Sequence, residues 1–146
     1  MNRTEKIKRL YECLDKVALY GRAAGKLEFD MECCAPPEGM EQAGADIAIL
    51  QQVPFEILHS EEYVGLLKDL YARREELQPL QKKLMELCMR DYEKTEKMTP
   101  EFSLAMDQAF AKAYGDWLKA KKAQNFGMFR DSFASLIDFT RQAIDL

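Results

Sequence analysis

The five prolines of this 146-residue chain constrain its fold more than any other feature, because each falls where a helical apolar repeat stops, starts or is interrupted. Proline has no backbone N–H and its ring clashes with the preceding turn. It therefore suits the first turn of a helix and breaks or kinks the interior. A first helix, Thr4 to Asp30 and ending near Cys34, is read from Ile7, Leu10, Tyr11, Leu14, Val17, Ala18, Gly21 and Ala24 at intervals of three and four. Thr4 is its expected N-cap. Pro36-Pro37 stops it, and Ala35 is pushed toward extended geometry.

Pro37 then opens a second helix, with Glu38 at its positive end and Ile47, Leu50, Val53, Ile57 and Leu58 on its apolar face. Pro54 predicts a kink or break in it near Gln51 to Val53. Ser60-Glu61-Glu62 caps a third helix carrying Tyr63, Leu66, Leu67, Leu70 and Tyr71, out to about Glu75. Pro79 opens a fourth, with Leu80, Leu84, Leu87, Cys88 and Tyr92. Thr99-Pro100-Glu101 opens a fifth, with Phe102, Met106, Phe110, Ala113, Trp117 and Ala120. Asn125 is the expected cap of a sixth, with Phe126, Phe129, Phe133, Leu136, Ile137 and Ile144. Abundant Ala, Leu, Glu, Lys, Met and Gln favour helix, and no alternating strand pattern competes. The expected fold is all-α: one helical domain, 1–146, of about six helices in antiparallel hairpins.

Composition narrows the function. A net charge of −4 argues against general nucleic-acid affinity, which rests on clustered Lys and Arg. The short basic runs Lys6/Lys8/Arg9 and Lys119/Lys121/Lys122 read as solvated helix faces. No apolar stretch approaches the roughly 20 residues needed to span a bilayer, and the N-terminus lacks the apolar core of a signal peptide. A cytoplasmic setting is expected, with no nucleic-acid or membrane partner. Cys13, Cys33, Cys34 and Cys88 have no zinc-ribbon spacing and are expected to stay reduced and buried as small hydrophobes. A soft-metal or redox role for the vicinal Cys33-Cys34 pair is the sharper alternative.

Catalytic patterns are limited by a single histidine, His59. Catalytic zinc commonly takes two or three imidazoles, and the His-Glu-x-x-His signature needs two, one helical turn apart. His59 could be paired with Glu61 or Glu62, but a helix-terminal imidazole bonded to backbone is the plainer reading. Glu61-Glu62 and Glu75-Glu76 read as helix ends or solvated faces, since adjacent helical residues point apart. Tyr114, Trp117, Phe126, Phe129 and Phe133 fit a core, or a contact with a further domain, better than a ligand platform. Met85, Met89, Met98, Met106 and Met128 read as core filling rather than a partner groove. No catalytic, cofactor-binding or metal-ligating residue is assigned.

Two stretches carry more than helix. One is Leu27-Glu28-Phe29-Asp30-Met31-Glu32-Cys33-Cys34-Ala35-Pro36-Pro37, followed by the second helix up to Leu58-His59. The other is Tyr92 to Pro100, then Trp117-Leu118-Lys119-Ala120, Asn125-Phe126 and Phe129. In order and spacing they resemble the N-terminal region of carboxypeptidase Taq-type metallocarboxypeptidases, the thermostable carboxypeptidase 1 family. That family has a Trp-Asp…Met-Pro-Pro element before a helix ending in Leu-His, then a charged stretch from Asp-Tyr to Pro, then Trp-x-x-Ala and Asn-Asp-Phe-x-x-Phe. Here Phe29 replaces Trp, Ala35 replaces Met, Ala43 lies near a common Arg, and Pro54 interrupts an otherwise intact helix.

The resemblance implies the N-terminal helical part of a larger, mostly helical zinc (or cobalt) enzyme that removes C-terminal residues from peptides. In such enzymes this part helps wall a groove over the metal, and the protein is typically a homodimer. The family's metal ligands lie beyond the region matched, so no cofactor is expected in this chain, which is expected to be inactive alone. Its expected partner is the missing catalytic region or a separate catalytic chain. The alternative is a stand-alone helical interaction or dimerisation module derived from such an enzyme. Phe139, Ala143, Ile144 and Leu146 keep helical spacing to the end, an expectation that the sequence is cut within or just after a helix.

Overall fold

The structure, a computed structural model, describes residues 1–146, the side chain of Pro37 excepted. Six α-helices make up the fold: α1 (Arg3–Cys33), α2 (Met40–His59), α3 (Glu61–Ala72), α4 (Pro79–Glu93), α5 (Pro100–Ala123) and α6 (Arg130–Asp145). Short 3-10 turns lie at Pro37–Gly39, Arg74–Glu76 and Phe126–Met128. The all-α, six-helix expectation holds.

Several helix ends are set by the expected residues. Ser60 Oγ accepts from the Tyr63 amide at 3.2 Å and caps α3. Thr99 Oγ1 does the same for Phe102 at 3.2 Å, ahead of Pro100 in the first turn of α5. Others differ. Asn2, not Thr4, caps α1: its Oδ1 accepts from Glu5 N at 2.9 Å, while Glu5 Oε2 accepts from Asn2 N at 2.8 Å, a reciprocal pair. Pro37 opens a 3-10 turn rather than α2 itself. The third helix, expected out to about Glu75, ends at Ala72, and Arg74–Glu76 form a separate 3-10 turn. Asn125 Oδ1 accepts from Gly127 N at 3.0 Å, so Asn125 caps the 3-10 turn, and α6 begins at Arg130.

Pro54 does not break α2, which runs as α-helix on both sides of it. Each half of α2 has its own anchorage. Gly44, Ile47 and Ala48 are buried, and Ile57 and Leu58 pack on a separate core.

The chain forms two compact units. The first comprises Met1–Gly21 and Val53–Lys97. Its core is Leu10, Cys13, Tyr63, Leu66, Leu67, Leu70, Met85 and Met89, drawn from α1, α3 and α4. The short connection between α3 and α4 makes them an antiparallel pair. Tyr63 is 2% exposed, and burial with a hydrogen bond to Cys88 pushes its hydroxyl well above the usual tyrosine range. Salt bridges run along the rim of this unit: Lys6–Asp69 at 2.8 Å, Arg9–Glu62 at 2.5 Å and Arg3–Glu76 at 3.3 Å. They fix register more than they stabilise, since exposed pairs contribute about 0–1 kcal/mol.

The second unit comprises Arg22–Gln52 and Met98–Leu146. Here α5 and α6 pack as a hairpin across the Phe126–Met128 turn. Gln124, at φ 51°, supplies the left-handed residue that ends α5. Gly44 of α2 meets α5 so closely that a Cβ there would lie 3.0 Å from that of Ala111.

Candidate functional site

His59 is built into the first unit as a bracket. Its Nδ1 lies 2.8 Å from Phe55 O, one turn back on α2. Its Nε2 lies 3.1 Å from Thr95 O and 3.0 Å from Thr95 Oγ1. The ring stacks on Phe55, with centroids 3.9 Å apart, and tilts against Tyr92 at 5.8 Å. Both nitrogens are therefore engaged with protein oxygens, as expected of a helix-terminal imidazole. Glu62 is hydrogen-bonded by Arg9, which lowers its carboxyl from the usual range. Glu75 is likewise lowered by Lys82, whose Nζ is 2.7 Å away, and Glu76 pairs with Arg3. These acids are tied at exposed helix ends.

The cysteines divide. Cys13 is buried and Cys88 half-buried, and desolvation pushes both thiols up. Cys33 and Cys34 are exposed, against expectation, at the C-terminal end of α1 ahead of Pro36. All four are free thiols. Among the described residues, no group of three or more His, Cys, Asp or Glu could hold a metal ion.

The second unit holds a polar cluster that sequence reasoning missed. Ser132 of α6 donates to Asp116 Oδ2 of α5 at 2.5 Å. Lys112 Nζ donates to the same oxygen at 2.5 Å and to Ser132 Oγ at 3.2 Å. The Lys112 hydrogen bond, then that of Ser132, holds the Asp116 carboxyl below its ordinary range, and Asp116 raises Lys112 in turn. A serine beside a lysine suggests a nucleophile and its base. Here the ammonium is held charged and the hydroxyl is 9% exposed and donated to a carboxylate. The cluster is a clamp between α5 and α6. The Lys112/Asp116 spacing was legible in the sequence, but the partnership with Ser132 needed the hairpin.

Two cavities lie in this unit. One, of about 320 Å³, is lined by Glu28, Glu32, Asp107 and Tyr114 among others. Asp107 there is raised by burial alone. The other, of about 910 Å³, is lined by Met31, Met40, Tyr114, Leu118 and lysines of α5.

The aromatic run does not form a closed core. Tyr114 and Trp117 lie 5.8 Å apart, with Lys121 Nζ 4.8 Å above the indole. Phe126, Phe129 and Phe133 form a mutual cluster, with centroids 5.6–6.2 Å apart. Yet Trp117 is 38%, Phe126 59% and Phe133 44% exposed. The core reading fails for these side chains. Of the methionines, Met85 and Met89 are core, while Met128 is 50% exposed.

The class, a helical metallopeptidase, is set by the all-helical fold together with kinship, not by a reacting group. The sequence pattern of the carboxypeptidase Taq (M32) metallopeptidases matches residues 9–146, and the chain belongs to that family. Carboxypeptidase 1 of Bacillus subtilis (strain 168) is 27% identical over 137 residues, covering 94% of this chain and 27% of that protein. The crystal structure of BsuCP matches with a TM-score of 0.90 at 26% identity, over 97% of this chain and 28% of that one. The structure of CHT matches with a TM-score of 0.70 at 27% identity, over 94% of this chain and 28% of that one. The chain thus spans little more than a quarter of the length of these relatives.

Proposed function

We propose that this chain is the N-terminal helical part of a zinc-dependent metallocarboxypeptidase that removes residues from peptide C-termini. The observation that carries the reading is the match of 97% of this chain, at a TM-score of 0.90, to 28% of a larger solved chain. The family is metallopeptidase, but the residues present do not fit a metal. The one imidazole has both nitrogens occupied by Phe55 and Thr95 oxygens, and no three-ligand group exists among the described residues. On this reading the reacting groups lie in polypeptide outside this sequence. What this chain contributes is packing: a helical wall whose second unit leaves large apolar side chains in solvent.

The reading includes a homodimeric parent, as the resemblance implies, and a cytoplasmic setting, which the four free thiols support. Among the described residues, no helix is long and apolar enough to cross a membrane.

The test is an assay of the purified 146-residue protein against C-terminally blocked and free peptides, with zinc or cobalt added. No metal-dependent release of C-terminal residues is expected; measurable release would sink the reading. An immunoblot of the producing cells separates the alternatives. A band several times larger than 16.9 kDa supports part of a complete enzyme. A band at that size alone supports a separate interaction module.

A further inference from the structure

We infer that Cys33 and Cys34, at the C-terminal end of α1, together bind one soft, thiophilic cation of low coordination number, Cu(I) being the ion their donors suit. The inference is independent of the family reading, because it uses only the side chains of one helix end. Both thiols are free and exposed, whereas Cys13 is buried and Cys88 half-buried. Filling an interior as a small hydrophobe is the ordinary role of a free cysteine, and Cys13 and Cys88 take it. Exposure removes that role from Cys33 and Cys34, and leaves two accessible sulfurs in consecutive positions.

The backbone holds these sulfurs side by side and discourages them from joining. Asp30 O accepts from Cys34 N and from Ala35 N, both at 2.8 Å, so α1 stays hydrogen-bonded up to and past the pair. Neither residue has a positive φ. Consecutive Cα atoms lie about 3.8 Å apart, short of the roughly 4.4–6.8 Å that disulfides usually span. Joining the two sulfurs would distort a turn that is already bonded. An ion between them adds two metal–sulfur bonds to the bridge, spans a wider gap and leaves the turn as it is.

The donor set selects the cation. Structural zinc takes four protein ligands and catalytic zinc three. Among the described residues, no group of three or more His, Cys, Asp or Glu could hold a metal ion. Two thiolates alone suit a soft ion that needs few ligands, and thiolate and thioether sulfurs are the donors that select Cu(I). Thioethers are close by in the chain. Met31 precedes Cys34 by three residues, on the same side of a turn that the Cys34–Asp30 bond keeps helical. Met31 and Met40 line one cavity of the second unit. On binding, two S–H bonds are replaced by two Cu–S bonds and two protons pass to solvent. The copper enters as Cu(I), so no electron is transferred.

The test titrates the reduced 146-residue chain with Cu(I) under nitrogen against excess bicinchoninate, a coloured Cu(I) chelator. Near-ultraviolet absorbance follows the copper–thiolate bonds. The chain is expected to take one Cu(I) from the chelator, and an equal concentration of Zn(II) should not displace it. Cys33→Ser and Cys34→Ser should each lose that copper, and Cys88→Ala should keep it. Both serine variants alter exposed side chains and should retain the helical circular dichroism of the parent, which separates a lost ligand from a lost fold.

Copper held by the Cys33→Ser/Cys34→Ser double variant overturns the inference. Copper surrendered to a slight excess of bicinchoninate does so as well, since the binding is then adventitious only. One Cu(I) per two chains, with a copper-dependent dimer in sedimentation, also overturns it, because the ion then bridges copies instead of adjacent residues.

Discussion

Truncating one side chain in each unit separates a finished core from an unfinished one. Leu67 is 0% exposed among Leu10, Tyr63, Leu66, Leu70 and Met85. Leu67→Ala removes its transfer free energy and leaves a cavity, which together cost about 3–5 kcal/mol in a well-packed interior. Phe133 is 44% exposed. Full burial of a phenylalanine stabilises by about 1.5–3 kcal/mol, and only somewhat more than half of it is realised here, so Phe133→Ala should cost about 1 kcal/mol. Urea unfolding of the isolated chain measures both, followed by far-UV circular dichroism and by fluorescence of Trp117. Trp117 is the only tryptophan and lies in the second unit. The comparison uses midpoints at unchanged m, and the two signals test whether a single transition describes each variant. A Phe133→Ala loss as large as that of Leu67→Ala would refute the reasoning, because Phe133 would then already be covered in the isolated chain.

Other outcomes follow from the same geometry. Burial raises the folded-state pKa of Asp107, so its charge opposes folding: the group favours the folded state below its unfolded pKa, and that advantage is lost as pH rises through the folded value. Asp107→Asn should therefore leave Tm unchanged near pH 3 and raise it at pH 7, and a melting series across that range would expose the opposite slope. Gln124→Gly relieves a left-handed residue at φ 51°, a strain of about 1–2 kcal/mol, against about 0.5–1 kcal/mol of added unfolded-chain entropy; a small net stabilisation is expected in chemical unfolding, and a loss would mean the Gln124 side chain has a role. Ser132→Ala takes the hydroxyl from the α5–α6 clamp but leaves Lys112 on Asp116. A cost of about 1–2 kcal/mol is expected in the same assay, and no measurable change would mean that the clamp adds nothing.

The helix boundaries legible in the sequence were those with a local cause. Ser60 and Thr99 accept from amides three residues on, and Pro79 and Pro100 fix φ in a first turn that lacks partners for its amides, so a short window contains the whole effect. Asn2 and Thr4 are both capping residues near the start of α1, and only the reciprocal bond with Glu5 shows that Asn2 takes the role. Pro54 did not break α2: the clash it creates is local, whereas Ile47 and Ala48 on one side and Ile57 and Leu58 on the other are held by packing that a sequence window does not contain. The exposure of Cys33 and Cys34 was hidden for a related reason, since a cysteine's burial depends on what covers the end of α1.

The aromatic residues of α6 show where periodicity stops being informative. Spacing by three and four announces an apolar face but not what lies against it, and α6 carries two such faces side by side. One face meets α5 through Leu136 and Phe139. It is centred on a serine, and only the Asp116 carboxylate across the hairpin explains why a polar residue is the one most deeply buried. The adjacent face, Phe129–Phe133–Ile137, would be read as core in any sequence window, yet much of it stands in solvent. A helix gains nothing from solvated phenylalanines, because the hydrophobic contribution scales with area removed from water. Periodicity alone cannot tell such a face from a core face, and the longer relatives that this chain matches are covered over only 27–28% of their length.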